Sequence, residues 1–335
     1  MKDILEKIMS GHHLSQHEAT SVFDKIMQGE ATEAQIGAFI ATLRMKGEVV
    51  EEVSGGAESM RRHAVKIECS GMHVVDTCGT GGDSCSTFNV STTAAFVTAG
   101  AGVPVAKHGN RAISSKCGSA DLLKELGVNL DVSKETVEDC IRDVGIGFMF
   151  APNMHPAMKY AMGPRKELGI RTIFNMLGPL TNPADAKFQV LGVYDERLTE
   201  LFAEVLQCLG SERALVVHGL DGMDEITTTA NTQISELNEG VVKTYEFDPR
   251  PFIGDYADPA DLEGGDVVEN SRITRLVLSG EPGAARDIVC MNAAAAIMAG
   301  GKVETLQEGW DLAQVSIDRG IALEVLGRLV EATAI

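Results

Sequence analysis

The chain has 335 residues, of which 44% are hydrophobic, and carries 29 Lys and Arg against 48 Asp and Glu, a formal net charge of −19. This length suits one large domain or two, and the acidity argues against DNA or an anionic membrane as the main partner, since both require broad basic surfaces. No segment has the pattern of a membrane span or signal peptide, and the seven cysteines lack a CxxC pair, so we expect a cytoplasmic protein without a disulfide framework.

The N-terminal part of the chain has the apolar spacing of amphipathic helices. One predicted helix ends at Gly29 and carries an apolar face formed by Ala19, Val22, Phe23, Ile26 and Met27. Residues 32–47 repeat this pattern, and residues 48–63 predict a third helix. We therefore expect a small helical bundle, whose surplus apolar surface could also bury a partner subunit.

From about residue 70 the pattern changes to alternating strands and helices. The predicted strands are 72–77, 103–109, 128–132, 146–152, 188–195 and 213–219, and the predicted helices between them are 89–100, 119–127, 133–145 and 196–210. This alternation is typical of an α/β domain with a mainly parallel sheet. Residues 156–182 contain two further helical pieces, which we expect to return and pack on the N-terminal bundle.

Three loops follow predicted strands, and ligands of open α/β sheets bind at the carboxyl ends of strands. In the first loop, Gly79, Gly81 and Gly82 allow a tight turn whose backbone NH groups can hold an anion, and a helix that starts just after it favours phosphate. Taken alone, this loop is equally well explained as an ordinary glycine turn before a helix cap.

The second loop is basic, although the chain as a whole is acidic. It contains no acid from residue 107 to residue 119, and it offers the cations Lys107, Arg111 and Lys116 and the hydroxyls of Ser114, Ser115 and Ser119. A solvated basic surface patch is the alternative explanation. Because two anion-binding loops follow neighbouring strands, we favour a ligand site.

The third loop supplies Asp221, Asp224 and Glu225. Hard oxygen ligands suit Mg²⁺, which commonly binds through one or two carboxylates and the phosphates of a substrate. In a chain with 48 acids, a solvated acidic turn is a strong alternative. Together the three loops indicate a site for a polyphosphorylated ligand with Mg²⁺, and neither a P-loop nor a GxGxxG motif is present to favour a kinase or a dehydrogenase.

Four stretches, in this order, resemble the anthranilate phosphoribosyltransferases of tryptophan biosynthesis. They are GTGGD at 79–83, KHGNRAISSKCGSAD at 107–121, NMLGPLTNP at 175–183 and DGMDEIT at 221–227. The resemblance implies a helical domain of residues 1–68 plus 166–182, through which family members form homodimers. It also implies an α/β domain of residues 69–165 plus 183–335 that binds the phosphoribosyl donor.

The resemblance further implies that the phosphoribosyl group of 5-phosphoribosyl-1-diphosphate passes to the amine of anthranilate, with Mg²⁺ as cofactor. The residues it implies for the donor are Gly79, Gly82, Asp83, Thr87, Asn89, Val90, Ser91, Thr92, Lys107, His108, Gly109, Asn110, Arg111, Ala112, Ile113, Ser114, Ser115 and Ser119. Those implied for anthranilate are Gly79, Asn110, His155, Arg165 and Pro179, and those implied for the metal are Ser91, Asp224 and Glu225.

Three alternatives stay open. A pyrimidine nucleoside phosphorylase has a similar helical and α/β plan, although the Asp224–Glu225 pair and the stretch at 175–183 favour the transferase. A non-catalytic relative could bind nucleic acid, which the charge of −19 disfavours. An enzyme of the same type could act on another aromatic amine.

Overall fold

The computed structural model describes residues 1–83, 85–112 and 116–334. The α-helices are α1 (Lys2–Met9), α2 (Gln16–Met27), α3 (Glu33–Lys46), α4 (Val50–His63), α5 (Val90–Gly100), α6 (Ser119–Glu125), α7 (Lys134–Asp139), α8 (Ala151–Met154), α9 (Lys159–Leu168), α10 (Ile173–Leu177), α11 (Leu198–Cys208), α12 (Arg250–Ile253), α13 (Val267–Leu278), α14 (Ala284–Ala299), α15 (Leu306–Asp318) and α16 (Ile321–Thr333). The strands are β1 (Val75–Gly79), β2 (Val105–Gly109), β3 (Ile146–Phe150), β4 (Phe188–Gly192), β5 (Arg213–Gly219), β6 (Thr232–Asn238) and β7 (Val241–Phe247).

Helices α1 to α4 form the N-terminal bundle. Helix α2 begins with a capping box, in which Ser15 Oγ accepts a hydrogen bond from Glu18 N at 3.3 Å and the Glu18 carboxylate accepts one from Ser15 N at 2.8 Å. The five apolar residues predicted for one face of α2 are all buried, so that prediction is confirmed. Helix α4 packs closely on α2, because a Cβ atom added to Gly55 would lie only 2.5 Å from the carbonyl oxygen of Gln16.

The segment between β3 and β4 packs on this bundle. Helix α9 lies against α3, and α10 carries Phe174 and Leu177 into the bundle core. The ring of Phe23 makes edge-to-face contacts with Phe39 and Phe174, with the ring centroids 5.6 Å apart in each pair. The domain boundaries at residues 68, 165 and 182 stay a prediction.

The seven strands of the described residues form one sheet in the order β3-β2-β1-β4-β5-β6-β7. The first five run parallel, and β6 and β7 pair antiparallel at one edge. The predicted α/β fold with a mainly parallel sheet is confirmed. The β6–β7 hairpin was not among the predicted strands. It turns through Glu239 and Gly240, which have φ angles of 50° and 74°.

Hydrophobic cores cover both faces of the sheet. Leu191 and Val216 share one core with α11 and the helical bundle, whereas Val190 and Val217 share the other with α5 and α14. Since β1, β2 and β5 are parallel, the three candidate loops leave the sheet at the same edge. None of the helices in the described residues combines the length and apolar character needed to cross a bilayer.

The predicted strand at 128–132 is wrong. This segment lies beside the C-terminal helix, where Asn129 N donates a hydrogen bond to Thr333 Oγ1 at 3.2 Å. The side chain of Asn129 also accepts from Asp131 N at 3.0 Å, which closes a local turn instead of an extended strand.

Candidate active site

The sheet opens between β1 and β2 at the edge that carries the candidate loops. Val75 pairs with Val105, and in the described residues no further ladder pair joins these strands. By contrast, β1 pairs with β4, and β2 with β3, along all five residues. The carboxyl ends of β1 and β2 therefore flank a cleft.

Buried side chains bond to backbone groups along this opening. The Asp76 carboxylate accepts a hydrogen bond from His108 N at 3.1 Å, and Asn182 Nδ2 donates to Ala106 O at 2.8 Å. Because buried backbone groups are costly to leave unpaired, these contacts allow the strands to part without that penalty.

Lys107 lies in the same opening with only 2% of its surface exposed. Its ammonium group donates to Thr77 O and lies 3.4 Å from Ser91 Oγ at the start of α5. Burial lowers the pKa of Lys107, and the carboxylates of Asp76 and Glu225 oppose that shift. The basic loop thus begins with a fixed cation that faces the acidic turn.

The glycine loop meets the acidic turn directly. Gly81 N donates a hydrogen bond to Asp224 Oδ2 at 2.8 Å, and a Cβ atom on Gly79 would lie 2.6 Å from the same oxygen. Gly81 and Gly82 have φ angles of 65° and 79°, which favour glycine. The three loops predicted from sequence therefore converge on one site.

The carboxyl groups of three residues, Asp83, Asp224 and Glu225, lie close together at this site. Burial, followed by the charge of Asp83, raises the pKa of Asp224 to about 7. Burial and the charge of Asp224 raise the pKa of Glu225 well above its usual value, although Ser91 N donates to Glu225 Oε1 at 3.1 Å. Burial also raises the pKa of Asp83. A cation beside these groups would favour their ionised forms.

The arrangement of these acids fits a Mg²⁺ ion that is shared with a substrate. In the described part of the chain, no set of three or more His, Cys, Asp or Glu side chains is placed to hold a metal by itself. Mg²⁺ usually keeps several waters and takes one or two carboxylates together with substrate phosphates. The adjacent, half-buried Asp224 and Glu225 match that requirement.

Asp221, which lies in the same acidic turn, has a different role from Asp224 and Glu225. Its carboxylate accepts hydrogen bonds from Met223 N at 3.1 Å, from Thr227 Oγ1 at 2.6 Å and from Thr229 Oγ1. These contacts hold the turn itself together.

The predicted residues around the start of α5 tie this helix to its surroundings. Asn89 Nδ2 donates to Cys117 O at 3.0 Å, and Asn89 Oδ1 accepts from Asn270 Nδ2 at 3.0 Å. Thr92 Oγ1 donates to Ser119 Oγ at 3.0 Å, which joins the first turns of α5 and α6.

Thr87 and Val90, at the start of α5, make contacts that hold the fold together. Thr87 forms an isolated bridge with Glu263, and the side chain of Val90 lies in the core.

The basic loop is described up to Ala112 and again from Lys116, so the predicted residues Ile113, Ser114 and Ser115 lie outside the described residues. The Arg111 guanidinium lies 5.5 Å from the centre of the Phe150 ring. Asn110 O accepts from Ala120 N at 3.2 Å, so the loop is anchored on α6.

Two contacts fix the ends of this loop. Ala112 N donates to Asp121 Oδ2 at 3.0 Å. A Cβ atom on Gly109 would lie 2.8 Å from the ring of Phe148, so a larger residue at the end of β2 would displace that ring.

His108 and His155 face each other, with ring centroids 5.0 Å apart. Both are buried, and the Nε2 atoms have no hydrogen-bond partner among the described residues. Burial lowers the pKa of His108 to about 3 and that of His155 to about 4, so both rings are neutral near pH 7. Of these two residues, His108 is predicted to contact the donor and His155 is predicted to contact anthranilate.

Arg165, on α9, lies half-buried with its guanidinium 5.2 Å from the centre of the Phe174 ring. Burial lowers its pKa, and no carboxylate of the described residues forms an ion pair with it. Pro179 is buried, and its carbonyl oxygen accepts from Gln189 Nε2 at 2.7 Å.

Arg171 was not among the predicted residues, yet it holds the glycine loop. It lies between α9 and α10, donates through its guanidinium to Gly82 O, and stacks on Tyr194 at 4.1 Å from the ring centre. Tyr194 N in turn donates to Thr80 Oγ1 at 3.1 Å. A single arginine in a polar segment carries no sequence signal for this contact.

Comparison with known proteins agrees with this architecture. Residues 2–64 match the helical bundle domain, and residues 71–323 the a/b domain, of the glycosyl transferase family. Anthranilate phosphoribosyltransferase of Desulfosudis oleivorans is 56% identical over 330 residues, covering 98% of this chain and 97% of the relative. The protein of that name from Syntrophobacter fumaroxidans is 55% identical over 99% of both chains.

Two solved structures share the fold. The anthranilate phosphoribosyltransferase of Thermus thermophilus has a TM-score of 0.93 and 40% identity, covering 99% of each chain. The enzyme of Saccharomyces cerevisiae in complex with PRPP and Mg has a TM-score of 0.88 and 28% identity, covering 98% of this chain and 96% of the other. This chain belongs to the anthranilate phosphoribosyltransferase family. The resemblance found from the four sequence stretches is confirmed, and the chain is a transferase.

We expect Arg171→Ala to loosen the glycine loop. Losing a stacking contact and a charged hydrogen bond, together worth about 1.5–3 kcal/mol, should increase local opening at least about tenfold. Hydrogen exchange of the Gly81 amide measures this opening. Arg197→Ala is the control, because Arg197 bonds only to Asp195 among the described residues. Unchanged exchange at Gly81 in Arg171→Ala would contradict the assignment.

Proposed function

We propose that this chain transfers the phosphoribosyl group of 5-phosphoribosyl-1-diphosphate to the amine of anthranilate, giving N-(5-phosphoribosyl)anthranilate and diphosphate, in tryptophan biosynthesis. One observation carries the proposal, namely that Gly81, Lys107 and the Asp224–Glu225 pair surround the opening between β1 and β2. A cleft lined by backbone NH groups, a buried cation and paired carboxyls suits a diphosphate ester with a divalent cation.

The acidic turn would hold Mg²⁺ through Asp224 and Glu225, with Ser91 nearby. The yeast relative was solved in complex with PRPP and Mg, and that complex supports the same ion here. When bound, Mg²⁺ supplies positive charge to the diphosphate oxygens.

The chain's own groups stabilise the charges that develop as the anomeric bond breaks. Negative charge grows on the departing diphosphate, which the Lys107 ammonium stabilises together with NH groups of the glycine loop other than Gly81 N, which donates to Asp224 Oδ2. The amine of anthranilate is a neutral nucleophile, so catalysis depends mainly on charge stabilisation and positioning. His108 and His155 are neutral near pH 7, and they add no cation that would repel the developing positive charge at the ribose.

Arg165 is the candidate for the anthranilate carboxylate, with Gly79, Asn110, His155 and Pro179 as further candidates. A planar guanidinium binds both oxygens of a carboxylate, and Arg165 is half-buried and has no ion-pair partner in the described residues.

A fluorescence assay tests the reaction itself. Anthranilate fluorescence should fall only when the chain, the phosphoribosyl donor and Mg²⁺ are all present. Parallel reactions contain thymidine or uridine with phosphate, or another aromatic amine in place of anthranilate. Consumption of a nucleoside or of another amine, with anthranilate untouched, would refute the proposed function.

We expect Arg165→Ala to raise the apparent KM for anthranilate about 10- to 100-fold, because a charge-assisted hydrogen-bonding pair contributes about 1.5–3 kcal/mol. The KM for the donor should change less than about twofold, since Arg165 is not among the residues implied for the donor. Lys166→Ala, which removes the adjacent exposed cation, is the control. Equal increases in both KM values would count against the assignment.

We expect Asp224→Asn combined with Glu225→Gln to weaken Mn²⁺ binding in the presence of the donor and to reduce turnover at least about 100-fold. Electron paramagnetic resonance of Mn²⁺ measures the binding directly. Glu138→Gln with Asp139→Asn is the matched control, because it removes two adjacent charges on α7. Wild-type Mn²⁺ affinity in the first double variant would exclude a metal role for this pair.

The chain is also proposed to form a homodimer through its helical domain. The side chains of Met9 and Met45 are 73% and 89% exposed, and those of Met162 and Ile170 are also exposed on the same bundle. Light scattering should give twice the mass of 35.7 kDa, and Met45→Glu should lower it, whereas Val241→Glu on the exposed edge strand should not. A monomer at micromolar concentration would refute the proposed homodimer.

A cytoplasmic location is proposed from the substrates and the cysteine pattern.

A further inference from the structure

The side chain of Asn292 holds both backbone polar groups of Ile226. Asn292 Oδ1 accepts a hydrogen bond from Ile226 N at 3.0 Å, and Asn292 Nδ2 donates to Ile226 O at 2.9 Å and to Ile288 O at 2.9 Å. Asn292 is 3% exposed and lies in the middle of α14, whose residues are buried from Ile288 onward. Its amide therefore acts on Ile226 as a neighbouring strand would.

This contact is adjacent to the acidic pair. Ile226 directly follows Glu225, lies before the start of β6 and is fully buried. On the opposite side, the turn lies against β4, because a Cβ atom on Gly192 would lie 1.6 Å from the carbonyl oxygen of Asp224. The backbone that carries the two carboxyls is therefore confined between a strand and a buried helix.

We propose that Asn292 is a positioning residue, which sets the placement of the Asp224 and Glu225 carboxylates through the backbone of Ile226. This inference rests on the proposed function of the acidic pair as the divalent-cation site. Two carboxylates must share one ion within a few tenths of an ångström of their ideal distances, so a shift of the Ile226 backbone weakens binding. Outer groups that orient metal ligands typically change affinity about 10- to 100-fold when removed.

The experiment compares variants that remove this contact. Asn292→Leu has a similar branched shape and removes all three hydrogen bonds. Asn292→Ser has a smaller side chain and removes both bonds to Ile226, although its hydroxyl can still donate to Ile288 O. Ser316→Ala is the control, because Ser316 is also buried and its hydroxyl donates to Val97 O at 2.9 Å, away from the acidic turn. Mn²⁺ binding is measured by electron paramagnetic resonance with the donor present and anthranilate absent.

We expect Asn292→Leu to weaken Mn²⁺ binding about 10- to 100-fold and to raise the Mg²⁺ concentration for half-maximal rate by the same factor. The KM for anthranilate should change less than about twofold, and Ser316→Ala should leave the Mn²⁺ affinity unchanged. If Asn292→Leu does not fold, Asn292→Ser decides in its place.

A folded Asn292 variant with wild-type Mn²⁺ affinity overturns the positioning role. Equal weakening of Mn²⁺ binding by Ser316→Ala also overturns it, because the effect would then be general destabilisation. The proposed function fails separately, if the wild-type chain binds Mn²⁺ with the donor but consumes no anthranilate.

Discussion

The separation of β1 from β2 is the constraint on which the site depends. In a continuous parallel ladder, the backbone NH and C=O groups of the two strands would bond to each other, and the cleft would close. Instead, Asp76, Lys107 and Asn182 bond to backbone groups along the opening and are themselves buried. Leaving one of these buried backbone groups without its partner costs about 1–3 kcal/mol, so the residues that open the cleft also hold the sheet together.

The charges at the site explain why an acidic chain keeps a basic loop. The charge of Asp83 raises the pKa of Asp224, and the charges of Asp224 and Asp83 raise that of Glu225, whereas the buried Lys107 opposes the shift of Glu225. In physiological salt, charges beyond about 8 Å are largely screened, so the remote surface acids matter little here. An acid in place of Lys107 would remove the buried positive charge from the cleft and would repel a phosphorylated ligand.

Much of this arrangement could be predicted from sequence, because local physics decides it. The apolar face of α2, the alternation of strands and helices, and the three loops at the ends of β1, β2 and β5 all follow from periodicity and turn residues. The prediction of a strand at 128–132 was wrong, because a short apolar stretch also suits a turn beside a helix. The contacts of Arg171 and Asn292 could not be predicted, because each joins its target across a long stretch of chain, and neither neighbourhood has a distinctive pattern.

The candidate site depends on three separate parts of the chain that meet at the glycine loop. Asp224 binds the Gly81 NH across a separation of 143 residues, and Arg171 binds the Gly82 carbonyl across 89 residues. Arg171 belongs to the segment that packs on the helical bundle, whereas Asp224 follows β5, so the loop is held from both parts of the fold. Because glycines lose more conformational entropy than other residues on ordering, this loop needs those contacts to take one conformation. The conformation of this loop therefore depends on contacts from both the sheet and the helical segment.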